Sequence, residues 1–305
     1  MASARTMIYR HLKELRDQLA GSPRRVISVA CAQDAPVIEA VKTAAAEGIA
    51  EFILVGQREK IRALLDGFDQ GVTIMEEEDD RQAALTAVRQ LRQGRAHALM
   101  KGLVNSGTFL KAVLDPEEGI RTGRLLNHFA AYEVPGHDRL IYFADGGMIP
   151  APTREEKAGI LTNCLTALHH MGYEQPRVAL LAANEMVNPK ISATADAAAL
   201  MEEYRAGKFP SCVMEGPIAM DVALSPAAAA HKGIQSRISG QTDLFLMPAI
   251  EVGNVTGKAL SYFCGAKMAG AVLGAAYPII MISRADDSEA KLNSIALACL
   301  AGGGA

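Results

Sequence analysis

Short apolar runs that alternate with amphipathic segments constrain this chain more than any other feature. The run "RVISVACA" at 25–32 is continuous rather than alternating, and rich in β-branched residues. A strand of that kind is covered on both faces, as in a parallel sheet flanked by helices. The next segment, 36–47, has helical spacing, with Asp34 placed to cap it and Gly48 to end it. The pair recurs, with strands at 52–55, 72–75 and 96–100 and helices at 58–65, 80–93 and 106–114. Two strands follow at 125–134 and 139–144, with "PGHD" between them as a turn or domain crossing. Alternation then resumes: helix 154–170, strand 177–183, helix 193–205, strand 211–214, helix 220–229, strand 243–247, helix 253–267 and two final strands. This rhythm predicts an α/β protein with doubly wound, mostly parallel sheets.

A chain of 305 residues is long enough for two domains with sizeable cores. Its net charge of −3 gives no electrostatic footprint for nucleic acid or an anionic membrane. No apolar stretch reaches the length of a membrane span, and the polar start "MASARTMIYRHLKELRDQ" reads as a helix rather than a secretory signal. The five cysteines are odd in number and never paired as C-x-x-C, which points to reduced, mostly buried thiols and a cytoplasmic location. The seven histidines show no ligand spacing, so no metal site is expected.

Several enzyme classes lack their motif. "ACAQDAPV" after the first strand has no glycine, against a dinucleotide fold. No G-x-S-x-G is present. "GNVTGK" at 253–258 is one residue short of a P-loop and continues into Ala259 where Ser or Thr is needed for magnesium.

Strand ends are where an open α/β sheet binds ligands. Four acid-glycine or lysine-glycine pairs fall at expected strand ends: Lys101-Gly102, Asp145-Gly146-Gly147, Glu215-Gly216-Pro217 and Glu251-x-Gly253-Asn254. Glycine there lets backbone N–H groups approach an anion, so a phosphate-binding cleft is expected. Lys258, inside the following helix, is either a phosphate contact or a solvated helix lysine.

The stretch "AYPIIMISRADDSEAKLN" at 276–293 ends a buried strand on Ser283-Arg284, and three acids follow. Asp286-x-x-Glu289 matches a capping box on the last helix. Arg284 is a cation beside a helix N-terminus, which is unfavourable unless an anion or acid joins it. A bound phosphate and a salt bridge to Asp286 or Asp287 both satisfy that demand.

Five segments together resemble the phosphate acetyltransferase/phosphate butyryltransferase family, most closely its butyryl branch. They are "ALMKGLVNSGTFLKAVLDPEEGIRTGRLLNH", "VNPKISATADAAAL", "EGPIAMDVAL", "IEVGNVTGKALSYFCGAKMAG" and "ISRADDSEAKLNSIALA". The resemblance implies reversible transfer of a short acyl group, butyryl rather than acetyl, between coenzyme A and inorganic phosphate. Both are substrates, and no metal or redox cofactor is implied. It implies an isocitrate/isopropylmalate dehydrogenase-like fold with a cleft between two domains, residues 1–134 plus 271–305 and residues 135–270. It also implies a homodimer or larger homo-oligomer.

By the same resemblance Arg284 holds the phosphoryl group and Ser283 hydrogen-bonds the thiol or oxyanion. Lys101, Gly102, Glu251, Gly253, Asn254, Lys258 and Tyr262 are the expected substrate contacts. The acetyl branch has an aspartate seven residues after the serine. Here that position is Ala290, which leaves Asp286 and Glu289 as candidate bases. Where the acetyl branch carries an arginine, eight residues after the asparagine of its Gly-Asn pair, this chain has Tyr262. That ring favours a longer acyl chain. "DGG" at 145–147 departs from the butyryl branch's D-A-A-M. The rival readings are a phosphate acetyltransferase, a decarboxylating dehydrogenase and a non-catalytic acyl phosphate or CoA binder.

Overall fold

The apolar runs become buried strands and the amphipathic segments pack over them. The computed structural model describes residues 7–21, 23–283 and 286–303. The chain divides into two units. One holds Leu12–Leu126 and the segment from Met268 onward; the other holds the segment ending at His11 and Asn127–Lys267.

The first unit opens with α1 (Leu12–Leu19), β1 (Arg25–Ala30), α2 (Ala35–Ala46), β2 (Ala50–Gly56), α3 (Arg58–Leu65), β3 (Val72–Glu76), α4 (Asp80–Arg92), β4 (Ala98–Lys101) and α5 (Ser106–Val113). Its turns use ordinary capping chemistry. Asp79 caps α4 by accepting the Gln82 N–H, and Asn105 caps α5 by accepting the Gly107 N–H. Asp34 precedes α2 in extended conformation but makes no side-chain cap; Pro36 sets that helix start instead.

The second unit contains β5 (Asn127–Glu133), β6 (Ile141–Ala144), α6 (Arg154–His170), β7 (Arg177–Leu181), α7 (Ser192–Arg205), β8 (Val213–Ile218), α8 (Met220–Leu224), α9 (Pro226–His231), β9 (Leu244–Leu246) and α10 (Ile250–Cys264). The chain then returns to the first unit through β10 (Lys267–Leu273), β11 (Ile279–Ile280) and α11 (Ser288–Ala301).

The first unit's strands run in the order β3-β2-β1-β4-β11-β10. Five are parallel and β10 is antiparallel to β11. Because α4 packs with α5 while α11 packs with α1 and α2, the sheet is covered on both faces. That explains the unbroken burial of Ile27, Ser28, Val29 and Ala30. The second unit orders its strands β5-β6-β9-β7-β8, with a β5–β6 hairpin and parallel pairs beyond it. Its core is aromatic. Phe129 stacks on Tyr142 with centroids 5.1 Å apart, and Phe143 meets Phe245 edge-on at 5.7 Å. Fully burying each such ring contributes roughly 1.5–3 kcal/mol.

Three sequence expectations are corrected. Glu215-Gly216-Pro217 is not a turn: β8 continues through it to Ile218. Its place at the sheet edge is what tolerates a proline there. The helix expected at 220–229 is two short helices, broken where Ser225 caps α9 and Pro226 begins it. The helix expected from Gly253 starts at Ile250, so Glu251, Gly253 and Asn254 lie inside α10 rather than in a strand-end turn.

Candidate functional site

In the first unit the strand order reverses direction between β1 and β4, since β2 and β3 lie on one side of β1 and β4 on the other. The crevice at the carboxyl ends of such strands is the usual ligand position. Lys101 ends β4 there, half-buried, with its Nζ donating to the Gly102 carbonyl at 3.3 Å. Gly102 lies so close to β1 that an added Cβ would sit 2.3 Å from the Cys31 carbonyl oxygen. Its N–H bonds the Ala30 carbonyl at 2.9 Å, and the Leu103 N–H bonds the Cys31 carbonyl at 2.8 Å. Glycine is therefore required at 102 for backbone approach.

β11 runs parallel to β4 with Ile280 opposite Met100, which puts Ser283 off the same sheet edge as Lys101. The Ser283 N–H donates to the Asp286 carboxylate at 2.8 Å. Asp287, not Asp286, caps α11 by accepting the Ala290 N–H at 2.8 Å. The capping register is thus one residue later than the Asp286-x-x-Glu289 pattern suggests, and Glu289 stands exposed in the first turn of α11. Lys291, buried, donates through Nζ to the Asp286 carbonyl and ties Asp286 to the helix. Arg284 lies outside the described residues.

The second unit presents its own cluster. Asp145, buried after β6, accepts the N–H groups of His128 (3.0 Å), Gly147 (2.6 Å) and Met148 (2.9 Å). With its carboxylate turned onto three backbone donors, it shapes the turn. Gly146 and Gly253 meet backbone to backbone; a Cβ on Gly253 would sit 2.6 Å from the Gly146 Cα. The Asn254 side-chain amide then donates to the Gly146 carbonyl at 3.2 Å. Gly257 packs on the Tyr132 hydroxyl in the same way. With that glycine seam inward, Glu251, Asn254, Lys258 and Tyr262 recur at i, i+3, i+7 and i+11 along one exposed face of α10. Tyr262 is 82% exposed, so within this chain it forms a ring open to solvent rather than the wall of an enclosed pocket.

The contacts of two residues escaped the sequence reading. His128, the second residue of β5, sets its ring against Gly147, where an added Cβ would come within 3.1 Å of its Cγ. Glu215 holds the loop before β9, accepting the Ser236 hydroxyl at 2.6 Å and the Arg237 N–H at 2.7 Å. Both depend on pairings across the sheet that no local motif encodes. Among the cysteines, burial pushes Cys31 and Cys299 up to about 12 and Cys212 up to about 11. Asp80 adds to the effect at Cys31. Such thiols are not nucleophiles near neutral pH. Among the described residues no cluster of His, Cys, Asp or Glu could hold a metal ion, and no helix is long and apolar enough to cross a membrane.

A doubly wound α/β fold with glycine-bearing strand ends is the frame of the phosphotransacylases. A branched-chain phosphotransacylase from Enterococcus faecalis superposes with a TM-score of 0.82 and 28% identity, covering 91% of this chain and 99% of that one. A phosphate butyryltransferase from Clostridium acetobutylicum is 44% identical over 280 residues, 91% of this chain and 93% of that protein. A phosphate acetyltransferase from Thermotoga maritima is 35% identical over 95% of this chain and 99% of that protein. Residues 69–299 match the family described as phosphate acetyl/butaryl transferase, and the chain belongs to that family.

Proposed function

We propose that this protein transfers a short acyl group reversibly between coenzyme A and inorganic phosphate, with butyryl preferred over acetyl. The observation that carries this reading is 44% identity, over nine-tenths of the chain, to a phosphate butyryltransferase. The CoA thiolate attacks the acyl carbonyl of the acyl phosphate, the C–O bond to phosphate breaks, and phosphate leaves as an anion.

The residues suit those demands. Arg284 supplies a charge-assisted contact to the phosphoryl group. Ser283 and Lys101, off one sheet edge, supply a hydroxyl and a cation. Glu289, in the first turn of α11, is the proton acceptor for the thiol, with Asp286 as the other candidate. The polar face of α10, carrying Glu251, Asn254 and Lys258 over the Gly253 seam, contacts CoA. No metal or redox cofactor enters this scheme. Two α/β units, Leu12–Leu126 with the segment from Met268 onward and Asn127–Lys267 with the segment ending at His11, carry the two groups of contacts. The enzyme acts in the cytoplasm as a homo-oligomer.

Acetyl-CoA is the competing substrate, favoured by the likeness to a phosphate acetyltransferase. Each methylene buried with the acyl chain contributes about 0.8 kcal/mol. Two extra methylenes therefore predict a preference of roughly tenfold in kcat/KM. A chain-length series of acyl-CoAs assayed with phosphate by thiol release tests this. Faster turnover of acetyl-CoA overturns the butyryl assignment, and no thiol release from any acyl-CoA overturns the activity.

A further inference from the structure

Strand β5 opens on a buried polar cluster that the proposed chemistry does not use. Asn127 and Asn163, both buried, meet between β5 and α6, where the Asn163 side-chain amide donates to the Asn127 Oδ1 at 2.8 Å. The Asn127 amide donates in turn to the His128 carbonyl at 3.2 Å and lies 3.3 Å from the Cys164 Sγ. At its other end, the His128 N–H donates to buried Asp145 at 3.0 Å. Buried polar side chains thus hold the backbone of one residue from both sides. Burying amides is costly, and apolar side chains of similar size would pack there without that cost. A satisfied polar network instead fixes position.

What this network positions is the His128 imidazole. β5 runs antiparallel to β6 with Ala130 opposite Phe143, so His128 comes level with Asp145, at the carboxyl end of β6. β9 and β7 run parallel to β6 and end on the same side. That is the ligand side of an open α/β sheet. Side chains alternate along a strand, so His128 shares a face with Tyr132, whose hydroxyl packs on Gly257 of α10, while Asn127 turns to α6. The ring lies on Gly147, where an added Cβ would come within 3.2 Å of its Nδ1. Next to it, the Gly146 carbonyl accepts the Asn254 amide at 3.2 Å. His128 is half-buried, so its ring sits where the core gives way to solvent.

We infer that His128 is a further substrate-contact residue, its imidazole hydrogen-bonding an oxygen of coenzyme A beside Asn254, with Asn127 and Asn163 as the positioning residues behind it. This role rests on the reading that the polar face of α10 contacts coenzyme A. An imidazole offers one N–H donor and one acceptor when neutral, which suits a phosphate or amide oxygen. It also accounts for the second glycine of the 145–147 turn, because a side chain at Gly147 would push the ring aside.

The test is calorimetric titration of the full chain with coenzyme A, alongside turnover of butyryl phosphate and coenzyme A. His128→Phe keeps a ring on Gly147 and leaves both backbone bonds in place, so a purely structural histidine would tolerate it. The variant should bind coenzyme A roughly tenfold more weakly, the loss of one hydrogen bond. Its KM for coenzyme A should rise in step, with the KM for butyryl phosphate and the melting temperature little changed. His128→Gln, which restores a side-chain N–H, should recover most of the loss. Asn127→Leu combined with Asn163→Leu removes both partners of the buried pair at once and should weaken coenzyme A binding in the same direction. Wild-type affinity in His128→Phe overturns the contact, and so does a loss that His128→Gln leaves uncorrected. Wild-type affinity in the double leucine variant overturns the positioning role. A chain that binds coenzyme A through His128 yet turns over no acyl phosphate keeps the contact and loses the proposed activity. No binding of coenzyme A to the wild type overturns both.

Discussion

Ser283, Arg284 and the acids behind them pose the sharpest question at the scale of single residues. The Asp286 carboxylate accepts the Ser283 N–H, and Asp287 holds the start of the helix by accepting the Ala290 N–H. The N-cap is therefore Asp287 rather than Asp286. If Glu289 accepts the thiol proton, Glu289→Gln should slow thiolysis of acyl phosphate by about a hundredfold. Its melting temperature should fall less than that of Asp286→Asn. Asp286→Asn should do the converse, costing about 1 kcal/mol of stability with a smaller effect on rate. If Glu289→Gln keeps full activity, the proton goes elsewhere, and Asp286 becomes the next acceptor to test. For Arg284→Ala, loss of a charge-assisted phosphate contact should cost on the order of 2–4 kcal/mol in kcat/KM, chiefly as a higher KM for phosphate. Unchanged phosphate kinetics would leave only the helix-end salt bridge as its role.

Single elements show why some of this molecule was legible in sequence and some was not. The strands of the first unit were plain, because a sheet covered on both faces needs continuous apolar runs. β8 was cut short because glycine and proline are read as turn residues, yet an edge strand accommodates both. The start of α10 was misplaced for a related reason. Gly253 and Gly257 look like loop residues, but they serve close helix–strand packing against Gly146 and Tyr132. Spacing alone cannot separate those two uses of glycine. The contact makes a prediction. Gly253→Ala gains helix propensity but drives its Cβ into the Gly146 backbone, which cannot rotate away. The expected net is a loss of about 1–3 kcal/mol in urea unfolding, together with weaker CoA binding as Asn254 shifts. A neutral or stabilising result would mean the seam is loose.

The turn after α5 has a pH signature. Asp115 accepts the N–H groups of Glu117 and Glu118, and these backbone bonds hold its carboxyl below the usual range. Glu118 is lowered likewise by its hydrogen bond to the Arg89 guanidinium. A depressed carboxyl contributes stability above its unfolded pKa and loses it as pH falls through the folded value. Urea midpoints should therefore drop on acidification below the ordinary carboxylate range, and Asp115→Asn should flatten part of that slope. Equal slopes in variant and wild type would show that the turn is not coupled to folding.

At the scale of the whole molecule, each unit has its own set of strands and its own buried core, and domains so built can unfold separately. The sequence supplies an unusual probe of this. There is no tryptophan, and of seven tyrosines only Tyr277 lies in the first unit. Tyr9, Tyr132, Tyr142, Tyr173, Tyr204 and Tyr262 all belong to the second. Three of these, Tyr9, Tyr142 and Tyr173, form a buried cluster with Tyr142 edge-on to Tyr173 at 5.8 Å. Near-ultraviolet dichroism therefore reports the packing of the second unit, while far-ultraviolet dichroism reports the helices of both. In a urea titration the two signals should not superimpose. The tyrosine transition should be the single step of one unit, and the far-ultraviolet curve should be broader or biphasic. Phe129→Leu, which removes the ring stacked on Tyr142, should move the tyrosine transition to lower urea by about 1–2 kcal/mol. It should leave the other far-ultraviolet step in place. Two coincident transitions that shift together in the variant would show that both units unfold as one cooperative body.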